Sequence, residues 1–320
     1  LLDAFFTIDV EIWCNGWNNL QEKFPSAYRK YIHGSTAAGN YGLPYQLKVL
    51  NDYNLAGVFF IEPLFSACFG TQPLTEIVGM VEAARQEVQL HLHTEWVDEA
   101  CSPLLPNVIG KRQHMRYFSR EEQALLIKVG TDMLHDAGAH GVNAFRAGSF
   151  GMNSDTLLAL ADNRFKFDTS YNASLLGPDS GVMPGQLMTE PAQFGSVHEY
   201  PIMVFKDGIN SLRHVQLTAC SFDEIEGLMW QALEQHRTSF VILSHGFELL
   251  NMAKDRADPI AVKRFHKLCA FLDRNRDCFR TVGFKNLIPQ HIEHQPEPLA
   301  SPLYRTGLRM MQQAYRRAYQ

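Results

Sequence analysis

The chain has 320 residues, 46% of them hydrophobic and 20% charged, and a formal net charge of −5. Such a length and apolar content suit one large globular domain or two small ones. The mild negative balance argues against general affinity for nucleic acid or anionic membranes.

The opening run Ala4-Phe5-Phe6-Thr7-Ile8 is apolar and β-prone, and it ends in two acids, Asp9 and Glu11. Buried strands rarely carry acids, whereas a strand that leaves a core can present them at its C-terminal end. The stretch from Ile12 to Thr36 is loop-like, with aromatic weight from Trp13, Trp17, Tyr28 and Tyr31. A helix is expected over Tyr45–Tyr53 and a buried strand over Ala56–Glu62. Thr75–Gln86 places Ile77, Val78, Val81 and Ala84 on one helical face. Glu87–His93 reads as a strand that ends in histidines.

Irregular chain with Pro103, Pro106 and Gly110 follows, until Ser119 and Glu122 suggest a capping box for a helix running to about Ala137. Asn143–Phe150 is a short strand leading into a Gly-containing loop, and Asn153 or Ser154 caps the next helix, through Asp162. Strands are expected over Phe165–Ser170 and, interrupted by Pro201, over Val197–Phe205; between them Ala173–Ser196 is loop. A helix over Phe222–His236, a strand over Ser239–Ser244 ending at His245, a helix over Pro259–Arg274 and a last strand over Phe279–Val282 complete the pattern. Strand and helix alternate some seven times, which predicts an α/β protein with parallel strands. Length and count favour a distorted or incomplete (β/α) barrel over an open sheet.

Three segments are expected: the barrel over 1–288, a linker rich in Pro, His and Glu over 289–302, and a basic amphipathic helix over 303–320. That helix is expected to pack on the barrel or on a second subunit; a basic helix touching a membrane or an anionic polymer is the alternative. The six cysteines (Cys14, Cys68, Cys101, Cys220, Cys269, Cys278) form no C-x-x-C pair, which fits reduced thiols. No run is long enough to span a bilayer, and no secretory leader is visible, so a cytoplasmic location is expected.

Residues able to do chemistry cluster at strand ends. Asp9 and Glu11 share one side of an extended chain and suit a general base and a metal ligand. His91, His93 and Glu95 combine imidazole with carboxylate, the donors that Zn²⁺ and related divalent metals accept. Arg146 ends its strand, where a guanidinium can orient a carboxylate or hold a substrate oxygen. His245 follows the apolar run Phe240-Val241-Ile242-Leu243 and suits a general acid.

Taken in order, these motifs resemble the polysaccharide deacetylase superfamily (NodB homology, carbohydrate esterase family 4). Thr7-Ile8-Asp9-Val10-Glu11 is similar to its first acidic motif, in the D-x-D spacing, and His91-Leu92-His93-Thr94-Glu95 stands where an H-x-x-x-H motif is expected. Phe145-Arg146-Ala147-Gly148-Ser149-Phe150 resembles its arginine loop, and Leu243-Ser244-His245 its late histidine motif; the likeness spans about residues 4 to 287.

The resemblance implies a seven-stranded barrel of the NodB type and a metal-dependent hydrolase that removes N-acetyl groups from a surface or exopolysaccharide saccharide. In it Asp9 would activate a metal-bound water, Glu11 and His91 would hold the metal, Arg146 would hold or tune the base, and His245 would protonate the departing amine. The metal would be zinc, with cobalt, nickel or manganese as alternatives. This chain departs from the pattern at Glu95, which replaces the second metal histidine, so either His93 or Glu95 completes the set. Two other readings stay open: hydrolysis of a non-sugar or cyclic amide, and a silent saccharide-binding or scaffold protein; a homo-oligomer stays open in all three cases.

Overall fold

Nine consecutive buried residues, Leu2–Val10, form the opening strand. Apolar side chains on both of its faces are what a strand covered on both sides requires. In the computed structural model this strand begins an α/β fold, a distorted and incomplete (β/α) barrel of mostly parallel strands, as the alternation of elements predicts. The structure describes residues 1–107, 110–176, 182–183 and 185–319, so the loop expected over 173–196 lies in part outside the described residues.

The chain packs as two units. The first comprises Leu1–Gly57, Met203–Val282 and Glu297–Gln320. Here the opening strand pairs in parallel with Ser239–His245, from Asp3 opposite Ser239 to Asp9 opposite His245. Phe279–Thr281 pairs in parallel with the start of the opening strand. The Thr7 hydroxyl donates to the Ile242 carbonyl at 2.7 Å, which satisfies a polar side chain that is fully buried. Helices Phe222–Glu234 and Pro259–Arg274 bury one apolar face each, through residues such as Ile225, Leu228 and Met229, and Phe265, Leu268 and Leu272. Ser221 and Glu224 close a capping box on the first of these, and Asp258 caps the second by accepting from the Ile260 and Ala261 amides.

The second unit comprises Val58–Ile202 and Gly283–Pro296. Strands Val58–Ile61, Glu87–Leu92, Ala144–Ala147, Phe167–Asp168 and Val197–Glu199 pair in parallel in that order, and Ala192–Phe194 adds an antiparallel edge. The expected capping box is present: Ser119 and Glu122 cap helix Arg120–Asp136 reciprocally.

Two expectations change in detail. The segment read as loop from Ile12 to Thr36 contains helix Leu20–Tyr28 and a π-helical turn, Arg29–His33. Pro25 inside that helix removes one backbone donor, and Asn and Gly precede it, which is why the sequence pattern hides it. Gly34 ends the turn at φ 60°, and a Cβ there would lie 2.3 Å from the Gly42 nitrogen, so only glycine fits. The strand expected over Val197–Phe205 is two strands, Val197–Glu199 and Val204–Lys206, because Pro201 cannot donate to a ladder. Among the described residues, no helix is long and apolar enough to cross a membrane.

Candidate active site

On the first unit, strand register sets Asp9 level with His245, and the Gly246 amide donates to the Asp9 carbonyl at 2.8 Å. Asp9 and Glu11 are both buried. His245 is held from two directions. Gln46 Nε2 donates to its backbone oxygen at 3.0 Å, and its ring Nδ1 lies 2.8 Å from Glu248 Oε1. Glu248 is itself buried and accepts from Ser244 Oγ and from Gln216 Nε2. Because a carboxylate accepts, the proton sits on Nδ1 and Nε2 points away from Glu248. Burial pulls the His245 pKa down, but the hydrogen bond and charge of Glu248, with Glu11 and Asp9, push it up to about 9. At neutral pH the ring is therefore a cation able to give up a proton.

On the second unit, strand Glu87–Leu92 delivers His91 and the chain continues into His93, with the two rings 4.7 Å apart and nearly perpendicular. His91 Nδ1 donates to the Arg146 carbonyl at 2.9 Å. A 3₁₀ turn, Thr94–Glu99, begins directly after His93 and brings Glu95 Oε2 to 3.3 Å from His93 Nδ1. Each ring thus turns Nδ1 to a protein oxygen, the kind of support that metal-ligating histidines receive. Gly148 lies against the His93 ring: a Cβ there would sit 2.7 Å from Nδ1.

Arg146 is fully buried. Its Nε donates to the Thr169 carbonyl at 3.2 Å, and the guanidinium lies 4.3 Å from the centre of the Phe60 ring. Its charge acts on Asp168 and Glu199, two fully buried acids opposite each other in the sheet. Burial and the neighbouring Asp168 raise the Glu199 pKa well above the usual carboxylate range, so one proton is retained by the pair.

Two residues escaped the sequence reading, Glu248 and Glu62. Glu62, fully buried, accepts from the Leu64 amide at 2.7 Å, and burial pushes its pKa to about 8 against the opposing pull of His93. Its signal was visible: an acid directly after the apolar strand Val58–Ile61, the same signature as Asp9.

No protein-family model and no curated protein sequence matches the chain. Solved structures do. A candidate polysaccharide deacetylase from Mycobacterium smegmatis is 17% identical and superposes with a TM-score of 0.55, covering 92% of this chain and 94% of the other. The chain has the polysaccharide deacetylase fold. A family 4 carbohydrate esterase from Streptomyces lividans, solved with acetate, is 12% identical with a TM-score of 0.43 and covers 90% of this chain and 97% of the other. A family 4 pseudoenzyme from Bacillus anthracis is 13% identical with a TM-score of 0.42, covering 88% of this chain and 63% of the other. At 17% identity the likeness to the first of these is one of fold, and the chemistry rests on this chain's own residues.

Proposed function

We propose that the protein is a metal-dependent hydrolase that removes N-acetyl groups from a saccharide. One observation carries the reading: two adjacent buried imidazoles, each with Nδ1 engaged by a protein oxygen. In this reading Glu11 is the third donor to the same divalent ion. The mixed nitrogen and oxygen donors suit zinc first, then cobalt, nickel or manganese. In this reading Glu95 orients His93 and is not itself a ligand.

A divalent cation there would polarise the acetamido carbonyl and acidify water. Asp9 accepts the proton of the attacking water. The water oxygen bonds to the acetyl carbon, the C–N bond breaks, and His245 gives the amine nitrogen a proton, so acetate and a free amine leave. Arg146 supports the site through the carbonyl that fixes His91 and through a guanidinium that offsets Asp168 and Glu199.

The test uses the full chain stripped of metal and reloaded with one equivalent of Zn²⁺ or Co²⁺. Asp9→Asn should retain the metal and lose turnover by about a hundredfold or more, the usual size of a general-base contribution. Normal turnover in that variant would remove Asp9 from the role. His93→Ala should weaken metal binding more than Glu95→Ala, and the opposite order would make Glu95 the ligand. Ammonia release or ring opening from small amides, without acetate release from oligosaccharides, would replace the saccharide with a non-sugar amide.

A further inference from the structure

The π-helical turn and the loop after His245 bring two lysines to one place on the first unit. Lys254 Nζ stands 4.9 Å from the Tyr31 ring centre and 5.1 Å from that of Phe247. These rings pack edge to face at 5.0 Å, and Phe247 in turn lies 5.3 Å from the His245 ring. Lys30, from the π-turn itself, is near enough for its charge to depress the Lys254 pKa, and Glu11 acts on Lys254 in the opposite sense. Lys30 also lines a cleft with Trp13, Cys14, Lys23 and Tyr31.

Two features mark the pair as more than solvated surface charge. First, among the described residues neither ammonium has a carboxylate partner, although Lys23, in the same cleft, is held by Asn18 Oδ1 at 2.6 Å. Neither ammonium is neutralised by a direct ion pair, and both border the Tyr31 side of the first unit. Second, Lys254 occupies the left-handed region at φ 54°, where a lysine is disfavoured. The turn that imposes this is locked by Asn251, whose side chain donates to Asp255 Oδ1 at 2.8 Å and accepts from the Asp255 amide at 3.1 Å. The backbone is thus held in a costly conformation that puts a cation on an aromatic platform next to His245.

We propose that the substrate is an anionic saccharide, with a carboxylate or other acidic group within about one sugar residue of the acetamido group, and that Lys30 and Lys254 bind that anion. The inference rests on the deacetylase reading for the reaction, but anion binding itself can be measured apart from it. Phe247, half-buried, gives a sugar an apolar edge beside the two charges, while the Tyr31 ring is buried beneath Lys254. A neutral N-acetylated oligomer would leave both lysines uncompensated, whereas an acidic one would pair with them in a partly desolvated setting.

The experiment compares the metal-loaded wild-type chain with Lys30→Ala, Lys254→Ala and the double variant. Two oligosaccharides of equal length are used, one alternating N-acetylglucosamine with glucuronic acid, the other all N-acetylglucosamine. Acetate release gives kcat and KM, and calorimetric titration at two salt concentrations gives binding. The expected result is a KM for the acidic oligomer that rises about threefold to tenfold per lysine, with little change for the neutral one. Binding of the acidic oligomer should weaken with salt in the wild type and lose that salt dependence in the double variant. Equal KM values for both oligomers, unchanged by the substitutions, would overturn the anion site while leaving the deacetylase reading intact. Salt-sensitive, lysine-dependent binding without acetate release would uphold the anion site and count against the deacetylase.

Discussion

His245 owes its charge chiefly to Glu248, with Glu11 and Asp9 adding to it, and that makes Glu248 the first residue to test. Replacing Glu248 with Gln keeps a hydrogen-bonding group near Nδ1 but removes the carboxylate that, with Glu11 and Asp9, raises the ring's pKa to about 9. The imidazole should then titrate nearer its ordinary value of about 6.5. As the general acid must be protonated, the basic limb of the kcat/KM profile should move down in pH by about two units. An unmoved limb would show that another group sets it. Gly148 offers a second test, on the metal side. A methyl group at Gly148 would meet the His93 ring, so Gly148→Ala should lower metal affinity by about tenfold to a hundredfold, the usual cost of disturbing a ligand's support; metal titration of the folded variant measures it. Asp9, His91, His93 and His245 stood out in the sequence because each sits at or just beyond an apolar run. Glu248 did not, since an acid in the turn after a strand looks like any solvated loop residue. What identifies it is the fold of that turn, which returns the carboxylate to the histidine three positions earlier.

The C-terminal helix, Leu303–Tyr319, was expected to pack on the barrel or on a second subunit, but the sequence did not show which partners would hold it. Arg309 is buried and pairs with Asp207 at 2.9 Å and Glu224 at 3.0 Å, while Arg316 reaches Asp258 at 2.5 Å. Those acids are distant in sequence, and no local pattern announces such pairs. Arg309→Ala would strand two buried carboxylates and should destabilise the chain by about 3–5 kcal/mol, readable as a lower denaturation midpoint. Burial pushes the Asp207 pKa up, but the hydrogen bond from Arg309, those from the Ser211 and Ile209 amides and the Arg309 charge together outweigh it, so the folded-state pKa lies below the ordinary value. The stabilisation from a depressed carboxyl is complete above the unfolded value of about 3.9 and is lost as the pH falls through the folded one. The wild type should therefore lose more of its midpoint on acidification than Arg309→Ala does. The helix and turn at Leu20–His33 show the opposite failure: a helix interrupted by Pro25 and continued as a π-turn leaves no regular apolar period to read.

At the scale of the whole molecule, the alternation of elements was enough to foresee the α/β class and the incomplete barrel, because buried parallel strands and amphipathic helices carry distinct periods. The division into two units was not visible, since each unit is assembled from separate stretches of chain. The first unit carries the groups proposed to move protons, Asp9 and His245, and the second carries the imidazoles proposed to bind metal. A metal that binds only the folded chain should raise its stability by about 2.7 kcal/mol at a hundredfold excess over Kd. Chelation should therefore lower the thermal midpoint of the wild type and leave that of a His91→Ala, His93→Ala double variant unmoved. The central claim is hydrolysis, and acetate release tests it most directly. The chain reloaded with one equivalent of Zn²⁺ or Co²⁺ is incubated with N-acetylated oligosaccharides, and acetate and free amine are both quantified. The account predicts equimolar acetate and amine, abolished by a chelator and restored by metal. Full metal occupancy with neither product formed would contradict it.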